Sequence, residues 1–409
     1  MEPVRLRVVG TESGPTSETD ATFLDGMQLA QLEVNEGGGL EGRPLQLDVA
    51  DDLGDPARTL SLVREALMDR PAAVLVVGGS AAVTEARAEI EAAGVAVVLL
   101  GGDLYSGRAL FRSAFQTSVP LRWQARRLAR YLVVDRGHQR IVVLTEPGPE
   151  GEVAQAAMAD ALAEEGAAPA ATATVGPEDA RRTVPSIAEG ADAVVFLGPT
   201  PTAVAVSRAI GRIDPPPQLA LSADALQPSF ARPGAVRPGI VACYPYTWAG
   251  WADMLPRVHG FREDFREGAG HAPRGMEQEG YDAVRAVFEA LERTGGRGGA
   301  VLVRILETFR DQTYSAISVR LGPDDHVLAE ESQLGLFAVD DVDPPAPEAW
   351  AEIRWRPVMR TFTTDGEKVN LLDQDKRVFL PGWRPVEPTP KYWRSEFGIV
   401  TRPDEDPVH

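Results

Sequence analysis

The chain has 409 residues, a single cysteine and a formal net charge of −19. At roughly 150 residues per domain this length predicts two or three domains, each able to bury a core, and 44% hydrophobic with 25% charged residues is a globular composition. Sixty acidic against 41 basic residues repel polyphosphate, which argues against nucleic acid as a partner, and a lone Cys243 excludes an internal disulfide or a cysteine metal cluster.

Short runs of Val, Ile and Leu alternate with Ala-, Glu- and Arg-rich stretches, the pattern of βαβ units around a parallel sheet. Strands are predicted at Leu6–Val9, Leu45–Ala50, Ala73–Val77 and Val95–Leu100. A second series falls at Arg140–Leu144, Ala170–Val175, Ala193–Leu197, Gln218–Leu221 and Gly239–Tyr244. Between them, Asp20–Asn35 places Phe23, Met27, Ala30 and Val34 at helical spacing. Asp55 followed by Pro56 is an N-cap with proline at the first helical position, opening a helix over Ala57–Met68. Further helices are predicted at Ala81–Ala93, Pro120–Val134, Gly151–Glu165, Val204–Ile210, Trp251–Glu267, Met276–Arg293 and Gly299–Phe309.

Each series predicts its own doubly wound sheet, with the junction near Arg112–Val119. From about Pro344 the texture changes to Pro- and Trp-rich sequence with few helical periods. This tail is expected to be irregular structure laid over the folded body, with short strands at Val358–Thr363 and Val378–Leu380.

Enzyme motifs are missing. Gly37–Gly42 satisfies G-x-G-x-x-G, but it follows a helix and precedes a strand, the reverse of a dinucleotide site, and is predicted to be a helix C-cap and turn. The sequence contains no Walker A loop, no H-E-x-x-H and no G-x-S-x-G. Its histidines, at positions 138, 259, 271, 326 and 409, lack ligand-like spacing and are expected at the surface. Cys243 ends an apolar run and is expected to be buried packing. No metal, cofactor or catalytic residue is predicted. No window holds the roughly 18 apolar residues of a membrane helix, and the N-terminus lacks the basic and apolar regions of a leader. A cytosolic protein and an exported one whose leader lies outside this chain both fit.

The order of motifs carries more. The opening Gly10-Thr11-Glu12-Ser13-Gly14-Pro15 leads to a helix with Gly26-Met27 and Ala30. Next come Asn35-Glu36-Gly37-Gly38-Gly39-Leu40-Glu41-Gly42-Arg43-Pro44-Leu45 and Asp51-Asp52, with Asp55-Pro56 following. This resembles the type I periplasmic binding proteins of the leucine/isoleucine/valine-binding family, the substrate-binding proteins of branched-chain amino acid ABC transporters. The resemblance spans roughly residues 4–335, with the first 60 carrying most of it. It implies an α/β fold of two Rossmann-like lobes with parallel sheets joined by a hinge, plus an irregular C-terminal extension. Lobe one is expected to hold residues 1–118 and 250–325, lobe two 119–245 and 326–343, and the extension 344–409. The implied function is an extracytoplasmic solute-binding protein of an ABC importer that closes on a small polar ligand, an amino acid or amide-like compound, in the interlobe cleft. The implied partner is a membrane permease, the protein a monomer, the leader outside this chain. A ligand-sensing regulator on the same fold is the alternative.

By the same resemblance, Ser80 supplies donors to a ligand carboxylate, unless it only caps the helix that follows. Gly102 and Asp103 stand where the family often has Ala and Thr; an Asp there repels a carboxylate and attracts an ammonium or amide N–H, or else it closes an Asx turn. In lobe two, Glu150 falls at the family's aromatic position. Thr200 lies in a neighbouring loop, and Asp224 matches the acid that pairs with a ligand ammonium. Tyr246 and Trp248 line the cleft or fill the lobe interface, Tyr281 is expected to pack, and Glu277 reaches the cleft. Three acids (Asp103, Glu150 and Asp224) with no evident Arg partner point to a ligand with positive charge or several N–H donors.

Overall fold

The computed structural model describes residues 2–14, 17–105, 111–225, 230, 234–245, 256–269, 273, 276–310, 312–315, 318–329, 331, 334–341, 354–357, 361–364 and 367–370. In chain order the first part comprises β1 (Val4–Gly10), α1 (Ser17–Glu36), β2 (Leu45–Asp51), α2 (Pro56–Asp69) and β3 (Ala73–Val77), then α3 (Ser80–Glu85), α4 (Arg87–Ala93), β4 (Ala96–Leu100) and β5 (Ala114–Gln116). The middle comprises α5 (Leu121–Arg130), β6 (Ile141–Thr145), α6 (Pro149–Glu164), β7 (Ala171–Thr174) and α7 (Ala180–Ile187), then β8 (Ala193–Leu197), α8 (Thr200–Ile210), β9 (Gln218–Leu221) and β10 (Val241–Pro245). There follow α9 (Pro256–Ala269), α10 (Glu277–Thr294), α11 (Ala300–Leu306), the short β11 (Gln312–Thr313) and β12 (Ser318–Val319), and β13 (Leu334–Asp341). Last come β14 (Arg354–Pro357), β15 (Thr361–Thr364) and β16 (Glu367–Asn370).

The chain divides into two compact units, Met1–Pro120 with Gly260–Glu331 and Leu121–His259 with Ser332–His409. The first unit has a sheet ordered β2-β1-β3-β4-β5, all parallel. Strands β3 and β4 are buried at every residue, because helices cover both faces of such a sheet and an unbroken apolar run is then required. Phe23, Leu75, Phe115, Phe265 and Phe309 are among the fully buried side chains. Helix α10 lies against α1 so closely that Gly26 meets the Glu277 carbonyl and Gly280 the Phe23 carbonyl. Tyr281 packs edge-on to Phe261, and its hydroxyl donates to Glu33 at 2.6 Å.

The second unit has a sheet ordered β14-β13-β10-β9-β8-β6-β7. From β10 to β7 the strands are parallel, and β13 and β14 add antiparallel. Phe196, Phe230, Leu144 and Val206 lie in its core. Cys243 is buried in β10.

The motif-bearing turns fold as their residues dictate. After α1, Gly39 N–H donates to Val34 O at 2.9 Å with Gly39 at φ 63°, a left-handed helix termination that glycine adopts without strain. Asn35 then fixes the start of β2, donating to Leu45 O at 3.0 Å and accepting from its N–H at 2.7 Å. Asp55 caps α2, accepting from Ala57 N–H at 2.9 Å. Asp55→Ala should lower the stability of this unit by about 1 kcal/mol in urea denaturation; no change would show the cap to be redundant.

Several expectations need correction. The helix expected over Ala81–Ala93 is two helices, divided at Ala86 with ψ near 7°. The one expected over Pro120–Val134 starts at Leu121 and widens after Arg130 into a π-turn, Arg136 N–H reaching Tyr131 O. Helix α7 and strand β5 were not anticipated. His326 is buried, stacked on Phe115 with centroids 4.2 Å apart and bonded to Ala114 O and Glu307, so it is not a surface histidine. In the tail, Arg354–Pro357 is not irregular: its backbone pairs with β13 and extends the sheet. Thr361–Thr364 overlaps the predicted Val358–Thr363 and pairs with Glu367–Asn370. The predicted Val378–Leu380 lies outside the described residues.

Candidate functional site

Strand order locates the site within each unit. In the first, the chain moves from β1 outward to β2 and then crosses to β3 on the other side. In the second the same reversal falls between β6 and β8. Ligands of open α/β sheets sit outside the carboxyl ends of the strands at such a reversal. The relevant loops therefore follow β1, β3 and the adjacent β4 in one unit, and β6, β8 and the adjacent β9 in the other.

In the first unit, Ser80, Gly102 and Asp103 come together. Ser80 is the first residue of α3, whose N-cap is Gly79, so its hydroxyl does not cap the helix. Instead Ser80 Oγ accepts from Asp103 N–H at 3.0 Å. Asp103 Oδ1 accepts from Tyr105 N–H at 2.8 Å, closing the Asx turn. A Cβ on Gly102 would collide with Ser80 Oγ and the Leu99 side chain, so this close approach needs glycine. The loop's other amides are engaged: Gly101 N–H donates to Ser118 Oγ at 2.8 Å and Leu104 N–H to Gln116 Oε1 at 2.7 Å. Gly102 N–H and the Ser80 hydroxyl proton remain as two adjacent donors with no acceptor among the described residues. Together they suit one oxygen acceptor.

The loop after β1 is held by carboxylates. Asp51 accepts from Ser13 Oγ at 2.5 Å and from the N–H groups of Leu53, Glu12 and Ser13, which hold its carboxyl down at about 2. Beneath it, Thr11 joins two buried acids: its N–H donates to Asp20 and its hydroxyl to Asp52, each at 2.7 Å. Burial first, then the nearby Asp52 charge, outweigh the Thr11 bonds and raise Asp20 to about 7. The motif residues Ser13, Asp51, Asp52 and Asp55 thus shape these loops.

In the second unit, Thr200 and Asp224 meet, Thr200 Oγ1 donating to Asp224 O at 3.1 Å. Asp224 is exposed. Glu150 lies in the first turn of α6, just after the loop that follows β6. Partial withdrawal from water first, and the Glu146 carboxylate second, raise its pKa. Glu146, which the sequence reading overlooked, bonds Thr202 of α8 and lies beside Gly198, tying the loops after β6 and β8. Gly198 N–H donates to Ser222 Oγ at 3.3 Å, which ties in the loop after β9. The carboxyl edge of this sheet is acidic.

Glu277 begins α10 and is fully buried in the first unit. Tyr246 and Trp248 lie outside the described residues. Among the described residues no group of His, Cys, Asp and Glu is arranged to hold a metal ion, and no helix is long and apolar enough to cross a membrane.

Two α/β units, each with a reversed parallel sheet and a polar carboxyl edge, define a bilobal binding-protein fold. A family model described as "Periplasmic binding protein" matches residues 3–335, and the chain belongs to that family. A type 1 periplasmic binding protein from Bordetella pertussis is similar in structure, with TM-score 0.76 and 18% identity over 87% of this chain and 100% of that one. A leucine-binding protein from Thermotoga maritima superposes with TM-score 0.71 at 16% identity, covering 83% of this chain and 96% of its own. A fatty acid ABC transporter substrate-binding protein from Thermomonospora curvata gives 0.71 at 17%, covering 83% and 89%. Those two bind different ligands on one fold, so the fold does not select the ligand. No curated protein matches the chain.

Proposed function

We propose that this protein is the extracytoplasmic solute-binding component of an ABC importer, holding a small polar ligand unaltered for a membrane permease. The observation that carries the reading is a pair of donors with no acceptor among the described residues, Gly102 N–H and Ser80 O–H, at the carboxyl edge of the first unit. They favour a carbonyl or carboxylate oxygen. The acidic edge of the second unit, with Glu146, Glu150 and Asp224, favours ammonium or amide N–H groups. A molecule with both, an amino acid or an amide, satisfies each edge. Such a ligand gains contacts to both units only when they close on it, so its differential affinity drives closure. The protein acts as a monomer and catalyses no reaction.

A thermal-shift series with L-leucine, acetamide, putrescine and hexanoate tests this. A binding amino acid or amide at 100 times its Kd should stabilise the fold by about 2.7 kcal/mol, and NMR should recover it unchanged. Stabilisation by hexanoate alone, or conversion of any of the four, would refute the reading.

A further inference from the structure

Helix α10 carries a carboxylate that the proposed binding role does not explain. Glu279 is 4% exposed, on the first turn of a helix remote in sequence from every strand-end loop. Its Oε2 accepts from Ser118 Oγ at 2.6 Å and from Thr117 Oγ1 at 3.0 Å. Both hydroxyls belong to the segment that follows β5, just before the first unit's initial stretch ends at Pro120. Ser118 in turn accepts from Gly101 N–H at 2.8 Å.

The direction of these bonds matters. A carboxylate only accepts, so it commits the Ser118 hydroxyl proton to itself. That leaves the lone pairs of Ser118 Oγ facing Gly101, whose N–H is thereby engaged. Gln116 supports the same arrangement, donating from Nε2 to Ser118 O at 2.7 Å while its Oε1 holds Leu104 N–H. With Gly101 and Leu104 fixed on either side, Gly102 N–H has no acceptor among the described residues, and Ser80 Oγ lies close to Gly102.

We propose that Glu279 is a positioning residue for the ligand: through Ser118 it fixes Gly101, and so aims the Gly102 and Ser80 donors. The inference rests on the binding reading above, in that the aimed donors are the ones assigned to ligand. Glu279 acts on the ligand only through the loop.

Glu279→Gln keeps size and one acceptor oxygen but no longer commits the Ser118 proton, and Ser118→Ala breaks the same relay without altering α10. Hydrogen exchange resolved at Gly101 should be at least tenfold faster in each variant, while exchange across β1 stays unchanged. The double variant should be no faster at Gly101 than Ser118→Ala alone. By isothermal titration, the affinity for L-leucine or acetamide, whichever binds the unsubstituted protein, should fall about tenfold in both. Unchanged exchange at Gly101, an equal rise in β1, or effects of the two substitutions that multiply would each overturn the proposal. So would unchanged affinity in both variants. Should neither compound bind the unsubstituted protein, this choice of ligand class fails, and the exchange pattern alone decides the role of Glu279.

Discussion

Gly26→Ala is expected to destabilise the first unit by about 3 kcal/mol or more, the upper range for overpacking a buried contact. A Cβ at Gly26 would sit inside the carbonyl of Glu277, and one at Gly280 inside the carbonyl of Phe23, with Met27 N only 3.2 Å away. Neither obstacle is the end of a flexible side chain. Both are backbone, so relief requires α1 and α10 to separate along a contact that buries Met27, Ala30, Ala283 and Val284. At about 2–4 °C per kcal/mol for a unit of this size, the melting temperature should drop by about 6–12 °C. Gly280→Ala should behave alike. The double variant should cost less than the sum, since one displacement of the helices relieves both collisions. Gly260→Ala is the control: it is helical, with nothing among the described residues within 4 Å of an added Cβ, and should be neutral or stabilising by up to about 1 kcal/mol. Equal melting temperatures for Gly26→Ala and Gly260→Ala would mean that the two helices are not in backbone contact.

The same contact illustrates what a sequence displays. Phe23, Met27, Ala30 and Val34 announce the buried face of α1 by their spacing, and the apolar runs of β3, β4, β6 and β8 announce strands covered on both sides. The first-lobe motif is legible because its residues bond locally or to adjacent loops: Asn35 to Leu45, Asp55 to Ala57, Asp51 to Ser13. Strand β5 is hidden because three residues, Ala-Phe-Gln, are too short for any period. Helix α7 is hidden by Pro185 within it and by its brevity. The reach of Glu279 to Ser118 spans 161 residues, and nothing in the local sequence of either signals it. His326 looks like a surface residue in a Gly-Pro-Asp-Asp-His turn, yet tertiary contact buries it. At the candidate site, the sequence places Ser80, Gly102 and Asp103 in neighbouring loops. That Ser80 engages Asp103 N–H, and that Gly102 N–H has no acceptor among the described residues, emerges only in three dimensions.

Stability should fall as pH rises from about 4 to about 8. Asp20 and Asp282 are buried, and burial is the leading cause raising each to about 7. Thr11 donates to Asp20, and Ser315 donates to Asp282 through both its N–H and its hydroxyl at 2.9 Å, but these bonds only partly offset desolvation. A second carboxylate lies near each, Asp52 in one case and Glu279 in the other. The folded state therefore binds more protons than the unfolded chain, whose aspartates titrate near 4. Each group's stabilising contribution is complete below about pH 4 and is lost as pH passes through 7, up to about 4 kcal/mol per group at 1.36 kcal/mol per pKa unit. Asp51 and Asp192 work oppositely, since hydrogen bonds depress their pKa, but their contribution disappears only as pH falls below about 4. Between pH 5.5 and 8.5 the raised groups therefore set the slope. Asp20→Asn keeps an acceptor for Thr11 N–H and removes the charge that the nearby Asp52 carboxylate disfavours. It should be more stable than the unsubstituted protein at pH 8.5 by a few kcal/mol and nearly equal to it at pH 5.5. Urea denaturation at the two pH values measures both differences. A protein more stable at pH 8.5 than at 5.5, or an Asp20→Asn variant with no gain at 8.5, would mean that Asp20 is ionised in the folded state well below neutral pH.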